Sequence, residues 1–424
     1  MEFKDIIGYE NIKRELRMII DTLQKPEKYT KLGVKQPKGL LLYGKPGVGK
    51  TTMAKCFVKA TGRQAFICRK KKPDGEFVKE ITEIFEKAKE NMPSVILLDD
   101  MDKYANEDKQ HKNAEEFVTI QACIDDVRDM DVFVIATANS TDAVPDSLLR
   151  PGRFDKNIEI NTPKRKDAAK IAEYYLSKKS FASNVDAEGV AEILGGESCA
   201  QIETVVNEAG IYAGFANKDE IDMDDMIKAC IRVIYDAPEK EDPEEEILER
   251  IAYHEAGHAL VSELLSPGSV TLVSVRANHG KTGGFNSIKN SEDYWYSKKM
   301  MENKVISLLA GKAATEIVFG CTDVGANSDL HRAFDIVERF VDHYCSNGFD
   351  RWIQGRDSSV SNELLARRDM QMTVEMERFY MEAKRILVEN REKLQLIANT
   401  LMSEKTIAGT RLRNIINVPE KEVL

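Results

Sequence analysis

The segment Gly44-Lys45-Pro46-Gly47-Val48-Gly49-Lys50-Thr51 constrains the fold more than any other part of the chain. It matches the pattern G-x-x-x-x-G-K-[ST] in full, and that pattern works as a loop between a buried strand and a helix. The strand is present as the apolar run Gly39-Leu40-Leu41-Leu42-Tyr43, and helical periodicity follows around residues 52–60. Two more apolar runs, Val95-Ile96-Leu97-Leu98 and Val132-Phe133-Val134-Ile135-Ala136, lie beyond a helical segment around 77–90. Strands that are apolar on both faces and separated by helices predict a parallel sheet covered on both sides. This α/β region is expected to fill residues 1–161.

The residue types of the loop specify its chemistry. Its glycines let backbone N–H groups approach phosphates, and the start of the next helix favours negative charge. Gly44, Pro46, Gly47, Val48, Gly49, Lys50, Thr51 and Thr52 are the candidate nucleotide-binding residues. Lys50 is expected to reach the β- and γ-phosphates of ATP, and Thr51 to ligate Mg2+. Asp99 ends a buried strand and is placed to hold the same Mg2+; Asp100 follows it as the carboxylate that polarises the attacking water. The plain alternative for Asp100 and Asp102 is a solvated strand end, and it carries more weight for Asp102. Asn139 follows the next apolar strand, where its amide can orient the lytic water. Arg150 and Arg153 flank the turn Pro151-Gly152, and guanidinium groups on a rigid turn suit a phosphoryl-transfer transition state.

Residues 162–236 lack strand signals and carry amphipathic stretches, so they read as a small helical subdomain. Residues 237–246 are rich in Glu, Asp and Pro and read as a solvated linker. From 247 to 424 helical periods dominate, interrupted by the β-like run Val270-Thr271-Leu272-Val273-Ser274-Val275 and the pair Gly283-Gly284.

The second signature is His254-Glu255-Ala256-Gly257-His258. On a helix it places two imidazoles at i and i+4, on one face, where both can point at one zinc ion. Glu255 is then the general base toward a metal-bound water whose pKa falls to about 7. Gly257 costs about 1 kcal/mol relative to Ala in a helix interior, so it implies close packing there. The plain alternative is a helix with two incidental histidines. A catalytic zinc needs a third protein ligand, and the residue types leave His279, His331, His343 and many acids open.

Bulk properties bound the remaining possibilities. A net charge of −10 argues against a general nucleic-acid binder. Seven scattered cysteines, an odd number, fit a reducing cytoplasm without a disulfide framework or a Cys-based zinc site. No stretch approaches the roughly 18 consecutive apolar residues of a membrane span, so the chain reads as cytoplasmic and unanchored.

The set Gly44 to Thr51, Asp99, Asp100, Asn139, Arg150 and Arg153 resembles an AAA ATPase module. Residues 3–8 and 37–39 resemble the stretches such modules place near the adenine, and 162–236 resembles their helical lid. An AAA module followed by His-Glu-Ala-Gly-His resembles the FtsH family of ATP-dependent zinc metalloproteases. The resemblance implies a homo-oligomeric ring, expected to be a hexamer, in which Arg150 and Arg153 reach ATP on the adjacent subunit. It implies unfolded proteins or peptides as substrates and a mostly helical zinc peptidase domain over 247–424. It also selects Asp329, in Gly325-Ala326-Asn327-Ser328-Asp329, as the third zinc ligand. The segment from Leu309 to Glu316 and Gly283-Gly284-Phe285 also look like family segments, the latter near a substrate-binding edge.

Three departures from the family stand out. The chain opens on the ATPase module rather than on membrane-spanning helices, and so reads as a relative lacking them or as a piece of a longer protein. The second acid of the Mg2+ strand is Asp100 where the family has Glu; a displacement of about 1 Å can cost about 100-fold in rate. The family's aromatic-hydrophobic-glycine pore loop is replaced by Cys68-Arg69-Lys70-Lys71-Lys72-Pro73-Asp74-Gly75-Glu76-Phe77-Val78. The basic run can contact acidic substrate or simply be solvated, and Phe77 can stand in for the aromatic or pack on its own helix. An ATP-dependent endopeptidase is the leading expectation. The alternatives are a zinc peptidase with a slow or regulatory AAA ring, and a remodelling assembly with a vestigial peptidase domain.

Overall fold

The computed structural model describes residues 2–70, 76–104, 114–142, 144–181, 184–185, 187–237, 243–277, 283–288, 297–321, 324–342, 344 and 362–417. The chain divides into two compact units, Met1–Asp222 and Met223–Leu424.

The first unit is built on five parallel strands, β1 (Gly39–Tyr43), β2 (Gln64–Cys68), β3 (Ser94–Leu98), β4 (Val132–Ala138) and β5 (Lys156–Glu159), in the order β2-β3-β4-β1-β5. β3 and β4 are buried throughout and β1 nearly so, because each is central and covered on both faces. Their continuous apolar runs still alternate by face. Leu41, Ile96, Leu98, Val134 and Ala136 pack with Phe77, Ile81 and Phe85 of the helix Phe77–Glu90. Leu40, Leu42, Val95, Leu97, Phe133 and Ile135 pack on the other face, with Leu16 and Ile20 of Glu10–Gln24 and Met53 and Phe57 of Lys50–Thr61. β2 and β5 were not read from the sequence. They are edge strands that expose most of their residues, so the apolar-run signal is missing.

The helices Arg165–Leu176, Ala187–Ile193 and Cys199–Phe215 complete this unit. The unit boundary at Asp222 falls inside the expected helical subdomain. The helix Met223–Ile234 groups with the second unit, where Ile231 and Ala237 pack with Leu272, and Tyr235 stacks on Phe285 at 4.2 Å. Of the expected linker, residues 238–242 lie outside the described residues, and the next helix already begins at Glu245.

The second unit is mostly helical. The helices Glu245–Leu265, Lys298–Phe319, Asn362–Glu389 and Arg391–Glu404 share one apolar core. Small residues set the crossing of Glu245–Leu265 and Lys298–Phe319. A Cβ built on Gly257 would stand 2.6 Å from the Ala314 Cβ and 2.7 Å from the Ala310 carbonyl oxygen. The close packing expected at Gly257 is therefore a backbone-to-backbone approach of two helices. An antiparallel sheet in the order β7-β6-β8 borders the core, formed by β6 (Val270–Ser274), β7 (Phe285–Ile288) and β8 (Thr406–Ala408).

Candidate functional site

His254, Glu255 and His258 lie in the middle of the helix Glu245–Leu265, with Glu255 and His258 buried. Asp329 occupies the first turn of the helix Asn327–Asp342 and is directed at both imidazoles. The two Nε2 atoms are 3.1 Å apart, and the Asp329 Oδ2 lies 3.4 Å from that of His254 and 3.3 Å from that of His258. Metal–ligand bonds of about 2.0–2.2 Å in a tetrahedral site require ligand atoms roughly 3.3–3.6 Å apart. The two carboxylate–imidazole separations fall in that range and the imidazole–imidazole separation is about 0.2 Å shorter, with a donor set that suits zinc.

His258 Nδ1 donates to the Ser307 carbonyl at 2.7 Å, which leaves Nε2 as the ring atom that faces the triangle. Burial favours neutral Asp329, but hydrogen bonds and charge from the two imidazoles outweigh it and hold the carboxyl well below its usual range. Burial pushes the Glu255 carboxyl up, against the pull of the two histidines and Asn286. Among the described residues, His254, His258 and Asp329 form the one group with metal-ligand spacing. His331 is exposed and faces Asp335 at 3.7 Å; His279 and His343 lie outside the described residues.

Two glycines make room for this group. A Cβ on Gly311, in the helix Lys298–Phe319, would stand 2.3 Å from His258 Nε2 and 2.8 Å from His254 Nε2. A Cβ on Gly284 would stand 2.8 Å from the Glu255 Oε1. The segment read as bordering the zinc thus leans on the candidate base. Asn286 was missed by sequence reasoning. Its Nδ2 donates to Glu255 Oε2 at 2.5 Å and to the Glu255 carbonyl at 3.0 Å.

The loop Gly44 to Thr51 lies between β1 and the helix Lys50–Thr61. Gly47 and Gly49 adopt φ of 80° and 97°, conformations open to glycine without strain. Val48 is buried beneath the loop, Pro46 is exposed, and Thr52 is half-buried on the helix. Lys50 Nζ donates to the carbonyls of Gly44 (2.6 Å) and Lys45 (3.0 Å) and to Asn139 Oδ1 (3.0 Å). Burial holds its pKa below the usual lysine value, opposed by Asp102, Asp100 and Asp99.

Asp99, 2% exposed, accepts from Thr51 Oγ1 at 2.8 Å and Thr137 Oγ1 at 2.9 Å. Asp100 sits at φ 55°, ψ 47°, a left-handed conformation that aspartate tolerates better than most side chains. Burial pulls its carboxyl up, but Lys103 at 2.7 Å, with Arg69 and Lys50, more than offsets this and holds it below its usual range. Asp102 is not merely a solvated strand end, because its Oδ2 accepts from Asn139 Nδ2 at 2.7 Å and so orients that amide.

Two sequence-predicted groups behave differently from expectation. Arg153 makes a two-pronged pair with Asp125 of its own chain, at 2.8 and 2.7 Å, whereas Arg150 is exposed and has no ion pair among the described residues. The first two charges of the basic run after β2 face acids of the same unit, Arg69 from an exposed position. Arg69 lies 3.8 Å from Asp99 and 3.3 Å from Asp100, and Lys70 pairs with Glu116 at 2.9 Å. Residues 71–75 lie outside the described residues. Phe77 is buried edge-on against Tyr104, so it is a core residue and not a substitute pore aromatic.

An ATPase fold with a phosphate loop and a peptidase fold with a zinc-type triangle, on one chain, define an ATP-dependent metallopeptidase. The model of the ATPase family associated with various cellular activities (AAA) matches residues 40–162, and that of peptidase family M41 matches 243–415. The ATP-dependent zinc metalloprotease FtsH 2 of Thermoanaerobacter sp. (strain X514) is 30% identical, over 97% of this chain and 82% of that protein. FtsH of Ureaplasma parvum serovar 3 is 31% identical over 96% of this chain and 59% of that protein. FtsH of Bacillus subtilis (strain 168) is 30% identical over 99% of this chain and 71% of that protein. The chain belongs to the FtsH family of ATP-dependent zinc metalloproteases. Among the described residues no helix is long and apolar enough to cross a membrane.

Proposed function

We propose that this protein is an endopeptidase that cuts unfolded or tagged polypeptides, with His254, His258 and Asp329 holding zinc and Glu255 as general base. The convergence of three ligand atoms beside a buried glutamate carries this reading. Bound zinc supplies Lewis acidity, polarising the scissile carbonyl and lowering the pKa of water to about 7. Glu255, its pKa raised by burial, takes a proton from the attacking water and returns it to the departing amine as the C–N bond breaks.

In the ATPase module, Lys50 is assigned to the β- and γ-phosphates, Thr51 and Asp99 to Mg2+, and Asn139 to the lytic water. The cradle of Gly47 and Gly49 ahead of a helix start supports this. Domain roles are assigned as ATPase (1–161), lid (162–236), linker (237–246, of which Ala237 is packed and Glu245 and Glu246 are helical) and peptidase (247–424). The exposed Arg150 supports a homo-oligomeric ring, expected to be hexameric, with a guanidinium offered to the neighbouring subunit. Six described cysteines are free, in keeping with a cytoplasmic location.

The test is cleavage of casein and of a short peptide, with and without ATP and chelator. Chelator is expected to abolish both cleavages and ATP to accelerate casein loss. Glu255→Gln is expected to retain zinc while losing about 10²–10⁴-fold in rate. Full activity after zinc removal would overturn the assignment.

A second reading, a peptidase with a slow ring, is favoured by Asp100. Its carboxylate is short, and Lys103 and Arg69 hold it in place. Asp100→Glu is expected to raise ATP turnover roughly 10–100-fold, at a stability cost of about 1 kcal/mol for glutamate at a left-handed position. A variant that hydrolyses ATP no faster than the parent removes the slow-ring reading.

A further inference from the structure

We propose that Asn286 is the positioning residue for the general base, fixing Glu255 by one carboxylate oxygen so that the other is presented for proton transfer. The proposal rests on the reading of Glu255 as that base.

Asn286 is the second residue of β7, in register with Val273 of β6. One nitrogen holds Glu255 at both ends, donating to Oε2 at 2.5 Å and to the main-chain oxygen at 3.0 Å. Both contacted atoms are pure acceptors when the carboxylate is ionised, so the amide orientation follows from the chemistry. A glutamate side chain has three rotatable bonds, and a tether from its own backbone to its carboxylate removes most of that freedom. Gly284, two residues earlier, lies against the same carboxylate, since a Cβ there would meet Glu255 Cγ and Oε1 at 2.8 Å. The base is thus gripped between Gly284 and Asn286. Among the described residues Oε1 accepts no hydrogen bond, which leaves it as the oxygen free to take a proton.

The Asn286 Oδ1 is buried and has no hydrogen-bond partner among the described residues, so both described hydrogen bonds of this side chain are made by its donor end, to Glu255.

The experiment uses the full-length enzyme with zinc and a short peptide, so that the ATPase step is not limiting. Asn286→Ala is expected to lower kcat about 10–100-fold, the scale set by a misplacement of about 1 Å. KM, zinc affinity in chelator competition and thermal unfolding are expected to stay at parental values. Asn286→Thr keeps one donor on a side chain that suits a strand, and is expected to recover part of kcat. Asn286→Asp keeps the shape but replaces the donor with an acceptor, and is expected to fall at least as low as Asn286→Ala. Unchanged kcat in Asn286→Ala and Asn286→Asp overturns the proposal. So does a loss that tracks zinc release, a loss carried by KM alone, or no recovery in Asn286→Thr. Failure of the underlying reading looks different, because Glu255→Gln would then keep its activity whatever Asn286 does.

Discussion

Gly311→Ala is expected to yield a folded, helical protein that no longer retains zinc. The added methyl would stand 2.3 Å from His258 Nε2, with His254 Cε1 at 2.7 Å and His254 Nε2 at 2.8 Å. Carbon contacts are favourable only beyond about 3.5 Å, so His258 must retreat by roughly 1 Å. Its ring is not free to do so, because Nδ1 is tied to the Ser307 carbonyl at 2.7 Å on the helix that carries Gly311. The crowded atoms are the very nitrogens expected to bind metal, and a working site tolerates deviations of only about 0.2 Å in its bond lengths. Helix propensity runs in the opposite direction, since alanine in a helix interior is favoured over glycine by about 1 kcal/mol. Secondary structure by circular dichroism should therefore persist while zinc by elemental analysis falls to background and proteolysis disappears. A Gly311→Ala protein that binds one zinc with parental affinity would show that the helix crossing is looser than the structure has it.

The same region shows what sequence can reveal and what it cannot. The spacing of His254 and His258 is local, set by one helical turn, and is legible at sight. Asp329 lies far along the chain, and residue types alone leave it among several candidates; only a family resemblance singled it out. Asn286 carries no signal at all, because its partner Glu255 is 31 residues away and a lone asparagine on a short strand is unremarkable. The ATPase module divides along the same line. β1, β3 and β4 were legible because both faces are covered, whereas β2 and β5, at the edges, expose most of their residues and read as loop. Lys50, Thr51 and Asp99 belong to patterns with fixed spacing. The link between Asp102 and Asn139 joins residues 37 apart and depends on how β3 and β4 align in the sheet. Two arginines three residues apart look equivalent in sequence, and tertiary contacts make them different.

That difference gives the second large expectation: Arg150→Ala should cut ATP hydrolysis by about 10³–10⁵-fold, the range for loss of an arginine that stabilises phosphoryl transfer. Arg153→Ala should act mainly on stability. The Arg153 guanidinium spends both prongs on Asp125 and a further N–H on the Ser147 carbonyl, and its side chain is 17% exposed. Reaching a neighbour's phosphate would require breaking all of these contacts. Asp125 is 44% exposed, so solvent screens the pair and its loss should cost only about 1 kcal/mol. Among the described residues Arg150 has no such commitment. Its carbonyl accepts from Arg153 N at 3.2 Å, and Gly152 N donates to Asp155 at 2.6 Å, which fixes the turn while the Arg150 side chain stays exposed. Mixed assemblies separate action on a neighbour from action within one subunit. Lys50→Ala subunits lack the phosphate lysine but keep Arg150, and Arg150→Ala subunits keep the pocket. If Arg150 works across the interface, mixing the two inactive proteins restores hydrolysis wherever an intact pocket meets an intact arginine. Mixtures that stay as inactive as their components, or an Arg153→Ala protein that loses turnover more deeply than Arg150→Ala at unchanged thermal stability, would reverse the two roles.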